Sequence, residues 1–329
     1  MQRVVRIDGH LDLAFLSLQG VDLLAPSSQP SRFGVNLPAL HAGGVRLALA
    51  TIFTERGSAD PWGYPGQDPD GAHAGIAGRR QLEIYRRLED AGSIRIVRRR
   101  GDLAGLGEDG PLRVVLLMEG ADPIAVPEEA AWWFDQGVRV VGLTWALGSR
   151  WAGGNAADGP LTASGRAMVQ ALDSAGMLHD ASHLSRAAFE GLMACTDRCV
   201  VASHSNAAVL AGDAPRHLTD GQIRAIADRG GLCGLNLFGK FLRPTPGATV
   251  SDAVAHVMHV RSLAGAGSIA LGSDFDGGFT PGDCPEGLGR PEELPNLDAA
   301  LAAAGLPARE LSAFQHGNWL RVLGQSLPD

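Results

Sequence analysis

Five short aliphatic runs in this chain stop at a histidine or a carboxylate. Residues 4–7 run into Asp8-Gly9-His10-Leu11-Asp12, and residues 114–118 into Glu119-Gly120. Residues 177–178 run into His179-Asp180-Ala181-Ser182-His183, residues 200–202 into Ser203-His204, and residues 269–271 into Gly272-Ser273-Asp274-Phe275-Asp276-Gly277. A run of this kind reads as a buried parallel strand whose C-terminal tip carries a reactive group. Five tips spread along the chain converge only when their strands share one sheet or barrel. In a (β/α)8 barrel every strand C-terminus points to one face, and that face holds the active site. The expectation is an α/β protein: a (β/α)8 TIM-type barrel with a metal-dependent site, long βα loops and a helical C-terminal tail.

Eight apolar runs serve as barrel strands: residues 4–8, 45–52, 113–118, 138–143, 177–181, 199–203, 232–237 and 268–273. Residues 75–91 show a 3.6-residue period, and 163–175, 185–194, 219–229 and 251–264 repeat it more briefly. Strand–helix alternation implies parallel pairing with right-handed crossovers. A count of eight favours closure; an open doubly wound sheet is the alternative. Residues 54–73 and 278–291 are rich in Gly, Pro and Asp and read as long loops at the C-terminal face, as a lid or pocket wall. From residue 292 the chain reads as two helices packed outside the barrel. No domain boundary is visible, so residues 1–329 are expected to form one domain.

The 329 residues are 45% hydrophobic and 19% charged, which describes a chain with a large core. A net charge of -8 argues against nucleic acid or an anionic membrane as main partner. Arg98-Arg99-Arg100 is the local exception and reads as a solvated turn after the strand at 94–97. No segment has the apolar length of a transmembrane helix. The chain enters its first strand almost at once, so no secretory leader is expected. Cys195, Cys199, Cys233 and Cys284 form no CxxC pair and are expected to be free thiols, in keeping with a cytoplasmic location.

His10 and Asp12 lie two apart, so in a strand they share a side; both are ordinary zinc ligands. Alone, an Asp there is more often a turn cap. Glu119 follows an apolar run and precedes a glycine, which makes it a buried carboxylate needing a cation or an arginine partner. A lone strand-end histidine is usually a satisfied core residue. His183 and His204 on neighbouring strands, with Glu119 and the His-x-Asp pair, make a convergent set. Five ligands exceed a simple mononuclear site with an open position. They suit two zinc-like ions, with Glu119 as the bridge.

On these residues the chain resembles the membrane dipeptidase (renal dipeptidase-like) metallopeptidases of the amidohydrolase superfamily. The resemblance rests on Asp8-Gly9-His10-Leu11-Asp12-Leu13, Met118-Glu119-Gly120, residues 159–166 and residues 176–183. It continues through Ala202-Ser203-His204-Ser205-Asn206, Arg216-His217-Leu218-Thr219-Asp220, residues 272–277 and Gly317-Asn318-Trp319. It implies a barrel with two zinc or similar divalent ions. His10 and Asp12 would hold one ion, His183 and His204 the other, with Glu119 bridging. A hydroxide between them would attack the peptide carbonyl. Arg216 would take the substrate's free carboxylate, as suits a guanidinium fork, and Asp274 would be the acid/base residue near the substrate's amino end. A homodimer is a further implication of the resemblance.

Two departures bear on the substrate. The family often has a carbonyl-polarising histidine after Leu-Thr; here Leu143-Thr144-Trp145 stands, and an indole offers one donor and no charge. Arg216 is followed by His217 where the family usually has Asn. His41, His256, His259 and His316 read as surface or packing residues, and His73 as a residue of the long loop within reach of the site. Asp180 reads as a partner behind the ligands, and Trp132-Trp133-Phe134 as helix packing. Ser203-His204-Ser205 lacks a nucleophile-elbow pattern. The expected function is zinc-dependent hydrolysis of small dipeptides, including ones with a D-residue at the C-terminal position. A non-peptide amide as substrate, and a catalytically silent metal-containing peptide binder, are the alternatives.

Overall fold

The computed structural model describes residues 4–26 and 32–329. Eight strands fall where the apolar runs predict them. They are β1 (Arg6–Leu11), β2 (Val45–Phe53), β3 (Leu112–Glu119) and β4 (Val138–Gly142). β5 (Leu178–Asp180), β6 (Val200–Val201), β7 (Cys233–Leu235) and β8 (Ile269–Leu271) complete the set. β1 to β6 pair in sequence, all parallel. Beyond β6 the ladder thins to a parallel bridge, Ala202 to Cys233, which leads into the parallel pair β7–β8. Ile94–Ile96 adds a parallel strand on β3 outside this circuit.

The circuit closes between β8 and β1 largely through a side chain. Asp274 N–H donates to the His10 carbonyl at 3.2 Å. The fully buried Asp8 carboxylate accepts from Ser273 N–H (2.8 Å) and Ser273 Oγ–H (2.5 Å). One carboxylate thus supplies the acceptors that a ladder would otherwise provide.

The strands alternate as buried parallel strands must. Leu47, Leu49, Val115, Leu117, Val140, Leu178 and Val201 fill the barrel interior. Ala48, Ala50, Ile52, Val114, Leu116 and Met118 face the surrounding helices. Helix α1 (Ala72–Asp90) follows β2, α2 (Ala163–Ala175) precedes β5, and α3 (Arg186–Cys195) precedes β6. α4 (Asp220–Asp228) precedes β7, and α5 (Val250–Ala264) precedes β8. Capping fixes several starts: Thr162 Oγ accepts from Gly165 N–H, and Thr219 with Gln222 forms a capping box.

The tail departs from expectation. After α6 (Leu294–Ala303) the chain turns through a π-helical segment into α7 (Asn318–Ser326). This last helix closes the barrel rather than packing outside it. Trp319 is fully buried among the interior leucines and valines and donates Nε1–H to the Leu271 carbonyl at 2.8 Å. A β-carbon on Gly9 would lie 2.4 Å from the Trp319 ring, so the glycine makes room for the indole. The polar sequence between the tail's apolar residues hid a helix whose narrow apolar stripe faces an open barrel end.

Candidate metal centre

All the polar strand tips meet at the opposite, C-terminal end. There the backbone of β6 leans inward. A β-carbon on Gly234 or Gly272 would lie within 2 Å of the Ser203 carbonyl oxygen, so only glycines on β7 and beside β8 accommodate it. This inward lean carries Ser203 and His204 over the barrel axis.

Among the described residues, three groups have ligand atoms within 4.8 Å of one another, and two of them share no residue: Glu119, His183 and His204, and His10, Asp12 and Asp274. Glu119 faces both. Its Oε1 lies 3.0 Å from His183 Nε2 and 3.4 Å from His204 Nε2, while Oε2 lies 3.6 Å from His10 Nε2. His10 Nε2 is 3.8 Å from Asp12 Oδ1. A third group, with Asp180 beside His10 and His204, is geometrically close. However, the Asp180 oxygens already accept from Ser182 N–H, Ser203 N–H and Ser203 Oγ–H.

The histidine tautomers follow from proton counting. Ser203 has one hydroxyl proton and gives it to Asp180 Oδ2 at 2.5 Å. It must therefore accept from His204 Nδ1 (2.8 Å) and His10 Nδ1 (3.2 Å). Asn155 Oδ1 accepts from His183 Nδ1 at 2.9 Å. All three rings then present a bare Nε2 to the centre. His10 Nε2 is buried without a hydrogen-bond partner. His183 Nε2 and His204 Nε2 lie only 3.0 Å apart. Lone pairs so placed call for a cation between them. The charges agree: Asp12, Glu119, Asp274 and Asp276 are buried here with a single buried guanidinium, Arg216. So many carboxylates are tolerable in low dielectric only with compensating positive charge. The donor set of imidazoles and carboxylates fits zinc-like divalent ions.

The site's protonation reflects the same crowding. Burial alone would lower His10, but with no cation between the ligands Glu119, Asp12 and Asp274 outweigh it and lift His10 to about 10, so its Nε2 then holds a proton that a bound cation would displace. Glu119 is pulled below the usual carboxylate range, its burial overcome by His10 and His183. Burial and then the Arg216 charge lower His183 to about 4, and burial with the His10 charge lowers His204 well below its ordinary value. Burial raises Asp274 to about 6 and Asp276 to about 8. Only His183 (φ 65°) and Asp274 (φ 59°) among the described non-glycine residues have left-handed backbone. Such conformations cost on the order of 1–3 kcal/mol each and concentrate at functional sites.

Asp274 Oδ2 accepts from Asn236 Nδ2 at 2.8 Å. Its Oδ1 faces Gly277, where a β-carbon would lie 2.0 Å away. Arg216 is buried beside the centre, its Nη atoms donating to the His204 carbonyl (2.6 Å) and Ser205 Oγ (2.8 Å). Its Nε has no partner, and its guanidinium lies 5.0 Å from the Phe241 ring centre. Trp145 stands on the wall between Phe53 (ring centres 5.1 Å apart) and His183 (6.0 Å). A cavity of about 330 Å³ opens over the ligands, lined by Asp12, Glu119, Trp145, His183, His204 and Asp274 with further aromatic residues.

The remaining histidines stay apart. His73 pairs with Asp68 at 3.0 Å, and His259 with Asp220 at 2.8 Å. His256 joins Ala207 N–H to the Leu242 carbonyl. Trp133 is buried under its helix whereas Trp132 is 40% exposed. The four cysteines are free. Among the described residues no helix is long and apolar enough to cross a membrane.

Sequence reasoning missed several contributors. Asn155 sits in the turn of an antiparallel hairpin, Ala152–Gly154 with Ala157–Leu161, inserted after β4. Thr51 donates Oγ–H to Asp12 Oδ1. Asn236 interrupts the apolar run at Leu235-Asn236-Leu237, a signal that was available.

A closed parallel barrel whose strand tips gather histidines and carboxylates belongs with the metal-dependent hydrolases of the amidohydrolase superfamily. The family model "Membrane dipeptidase (Peptidase family M19)" matches residues 1–327, and the chain belongs to this metallopeptidase family. It is 34% identical over 261 residues to an uncharacterised protein in the pqqA 5′ region of Klebsiella pneumoniae, covering 74% of this chain and 93% of that one. It is 30% identical over 194 residues to dipeptidase aclJ of Aspergillus oryzae, covering 57% of this chain but only 45% of that protein. Among solved structures, a metallo peptidase from Rhodobacter sphaeroides liganded with a phosphinate mimic of the dipeptide L-Ala-D-Ala superposes with TM-score 0.86. That pair is 23% identical, covering 98% of this chain and 99% of that one. A further M19 dipeptidase structure gives TM-score 0.84 at 24% identity, covering 99% and 100%. These likenesses establish the shared fold.

Proposed function

We propose that the chain hydrolyses the peptide bond of small dipeptides, including those with a D-residue at the C-terminal position, using two zinc or similar divalent ions. The observation that carries this reading is the convergence of three imidazole Nε2 atoms on both oxygens of Glu119. His10 and Asp12 would hold one ion, His183 and His204 the other, and Glu119 both. Such a pair supplies Lewis acidity and a hydroxide nucleophile at neutral pH.

The chain's own residues would do the rest. Hydrolysis breaks the C–N bond and adds one water: the oxygen ends on the new carboxylate, and a proton has to reach the leaving nitrogen. Asp274, with Oδ2 anchored by Asn236 and Oδ1 left by Gly277, is placed to carry that proton. Arg216 has its unpartnered Nε to offer a substrate carboxylate. Trp145 brings an apolar wall where the family often has an imidazole, so activation of the carbonyl would fall on the ions. That substitution keeps a non-peptide amide as the second reading. The phosphinate mimic of L-Ala-D-Ala carried by the Rhodobacter sphaeroides protein supports the D-residue component.

The test is a dipeptide panel with L,L and L,D members, assayed on zinc-reconstituted protein beside simple amides. Turnover of dipeptides is the expected result. Turnover of amides alone would move the reading to the second; turnover of neither would leave a metal-containing binder.

A further inference from the structure

The chain has only six Trp, two Tyr and ten Phe, yet seven of these line the one cavity above the candidate metal centre. They form two separate walls. On the β1–β4 side, Trp62, Phe15, Phe53 and Trp145 make a continuous edge-to-face chain. Successive ring centres are 4.7, 5.7 and 5.1 Å apart. On the β7–β8 side, Phe238 packs edge-on against Phe241 at 4.9 Å and stacks on Phe279 at 4.5 Å. Asp12, Glu119, His183 and His204 line the same cavity.

The cavity also has a polarity. Glu55 lies in the first wall, accepting from Trp62 Nε1 at 3.2 Å. Arg216 backs the second, 5.0 Å from Phe241. A zwitterion with its ammonium toward Glu55, in place of the Asp274 side that the resemblance implies, and its carboxylate toward Arg216 behind Phe241 matches the charges of the two walls and leaves Asp274 beside the leaving nitrogen.

From this arrangement we infer that the enzyme is selective for dipeptides with large apolar or aromatic side chains at both positions. The inference deepens the dipeptidase reading and rests on it. The side chain of the N-terminal residue packs on Trp62, Phe15, Phe53 and Trp145. That of the C-terminal residue packs on Phe238, Phe241 and Phe279. Rings meeting rings edge-to-face or offset gain beyond their buried area, whereas a methyl group leaves both walls uncovered. At about 330 Å³ the cavity lies at the lower end of small-molecule sites, which suits a dipeptide rather than a longer peptide.

The experiment compares kcat/KM for Ala-Ala, Phe-Ala, Ala-Phe and Phe-Phe on the zinc-reconstituted full chain, in the configuration found to be cleaved. Each Ala-to-Phe change is expected to raise kcat/KM by about 10–100-fold. Trp62→Ala, at a partly exposed position, should erase the gain at the N-terminal residue and keep that at the C-terminal one. Phe238→Ala should do the reverse. Ala-Ala cleaved as well as the other three overturns the selectivity while leaving the dipeptidase reading intact. Both variants losing both gains equally overturns the assignment of walls. Turnover of none of the four overturns the dipeptidase reading and the inference with it.

Discussion

The Nε2 atoms of His183 and His204 face each other across 3.0 Å, each ring having its other nitrogen committed to a fixed acceptor. With both Nε2 atoms free of protons the two lone pairs repel, so the rings have to be held from behind. Here Asn155 and Ser203 do the holding. Ser203 does it twice, since it also accepts from His10.

Metal affinity should therefore depend on residues that never touch an ion. Ser203→Ala strands the Nδ1 protons of His10 and His204 and frees both rings to change tautomer. Asn155→Ala does this to His183 alone. Changes to such supporting partners typically cost about 10–100-fold in metal affinity. Competition titration with a zinc chelator should show Ser203→Ala weakening both bound equivalents and Asn155→Ala weakening one. Unchanged affinity in Ser203→Ala would show that the hydroxyl only fills space.

Arg216 separates a substrate clamp from a structural brace. As a clamp, Arg216→Met should harm free dipeptides far more than their C-terminal amides, by roughly 2–5 kcal/mol in kcat/KM, the usual cost of leaving one partner of a desolvated charge pair alone. Its bonds to the His204 carbonyl and Ser205 give it a bracing role as well. Equal loss on both substrate types would mean that bracing is its whole contribution.

Asp274 and Trp145 bear on the chemical step. Asp274→Asn keeps a partner for Asn236 but cannot carry a proton. It should leave folding and metal content intact and lower kcat by about 10²–10⁴-fold. Trp145→His restores the residue often found in the family and should raise kcat on dipeptides, whereas Trp145→Phe tests the indole N–H alone. Full activity in Asp274→Asn would remove it from the proton path.

His217 gives the fold an acid limit. Burial, then the charge of Arg216 beside it, lowers its pKa to about 4. Between its ordinary value of about 6.5 and about 4, the unfolded chain binds the proton more readily than the folded one. Stability therefore falls as pH drops through that window, by about 2 kcal/mol at pH 5 from this residue alone. His217→Asn should shrink the difference between urea midpoints at pH 7 and pH 5. An unchanged difference would place the acid sensitivity elsewhere.

How far the sequence could be read differed by level. A strand buried on both faces is a nearly pure aliphatic run, so all eight barrel strands were legible, as were the groups that end them. His10, Asp12, Glu119, His183, His204 and Asp274 stood out only as a set, because each alone reads as a turn cap, an ion-pair partner or a satisfied core residue. The supporting groups were hidden by ordinariness. Ser203 reads as filler beside a histidine, and Asn155 lies in a hairpin unrelated to its ligand in sequence. Trp62 and Phe15 approach the cavity from loops and a short helix, where no periodicity marks an aromatic residue as a wall. Trp319 misled for another reason: a helix that plugs a barrel end buries one narrow stripe and looks, in sequence, like a surface helix.

The central claim is that two ions, held jointly through Glu119, make this barrel a dipeptidase. Titrating zinc into metal-stripped protein while following dipeptide hydrolysis tests it most directly. Activity should be absent without metal and rise to a plateau at two equivalents per chain. Glu119→Gln should lower occupancy at both positions together. Full activity at one equivalent, or in the stripped protein, would contradict the account.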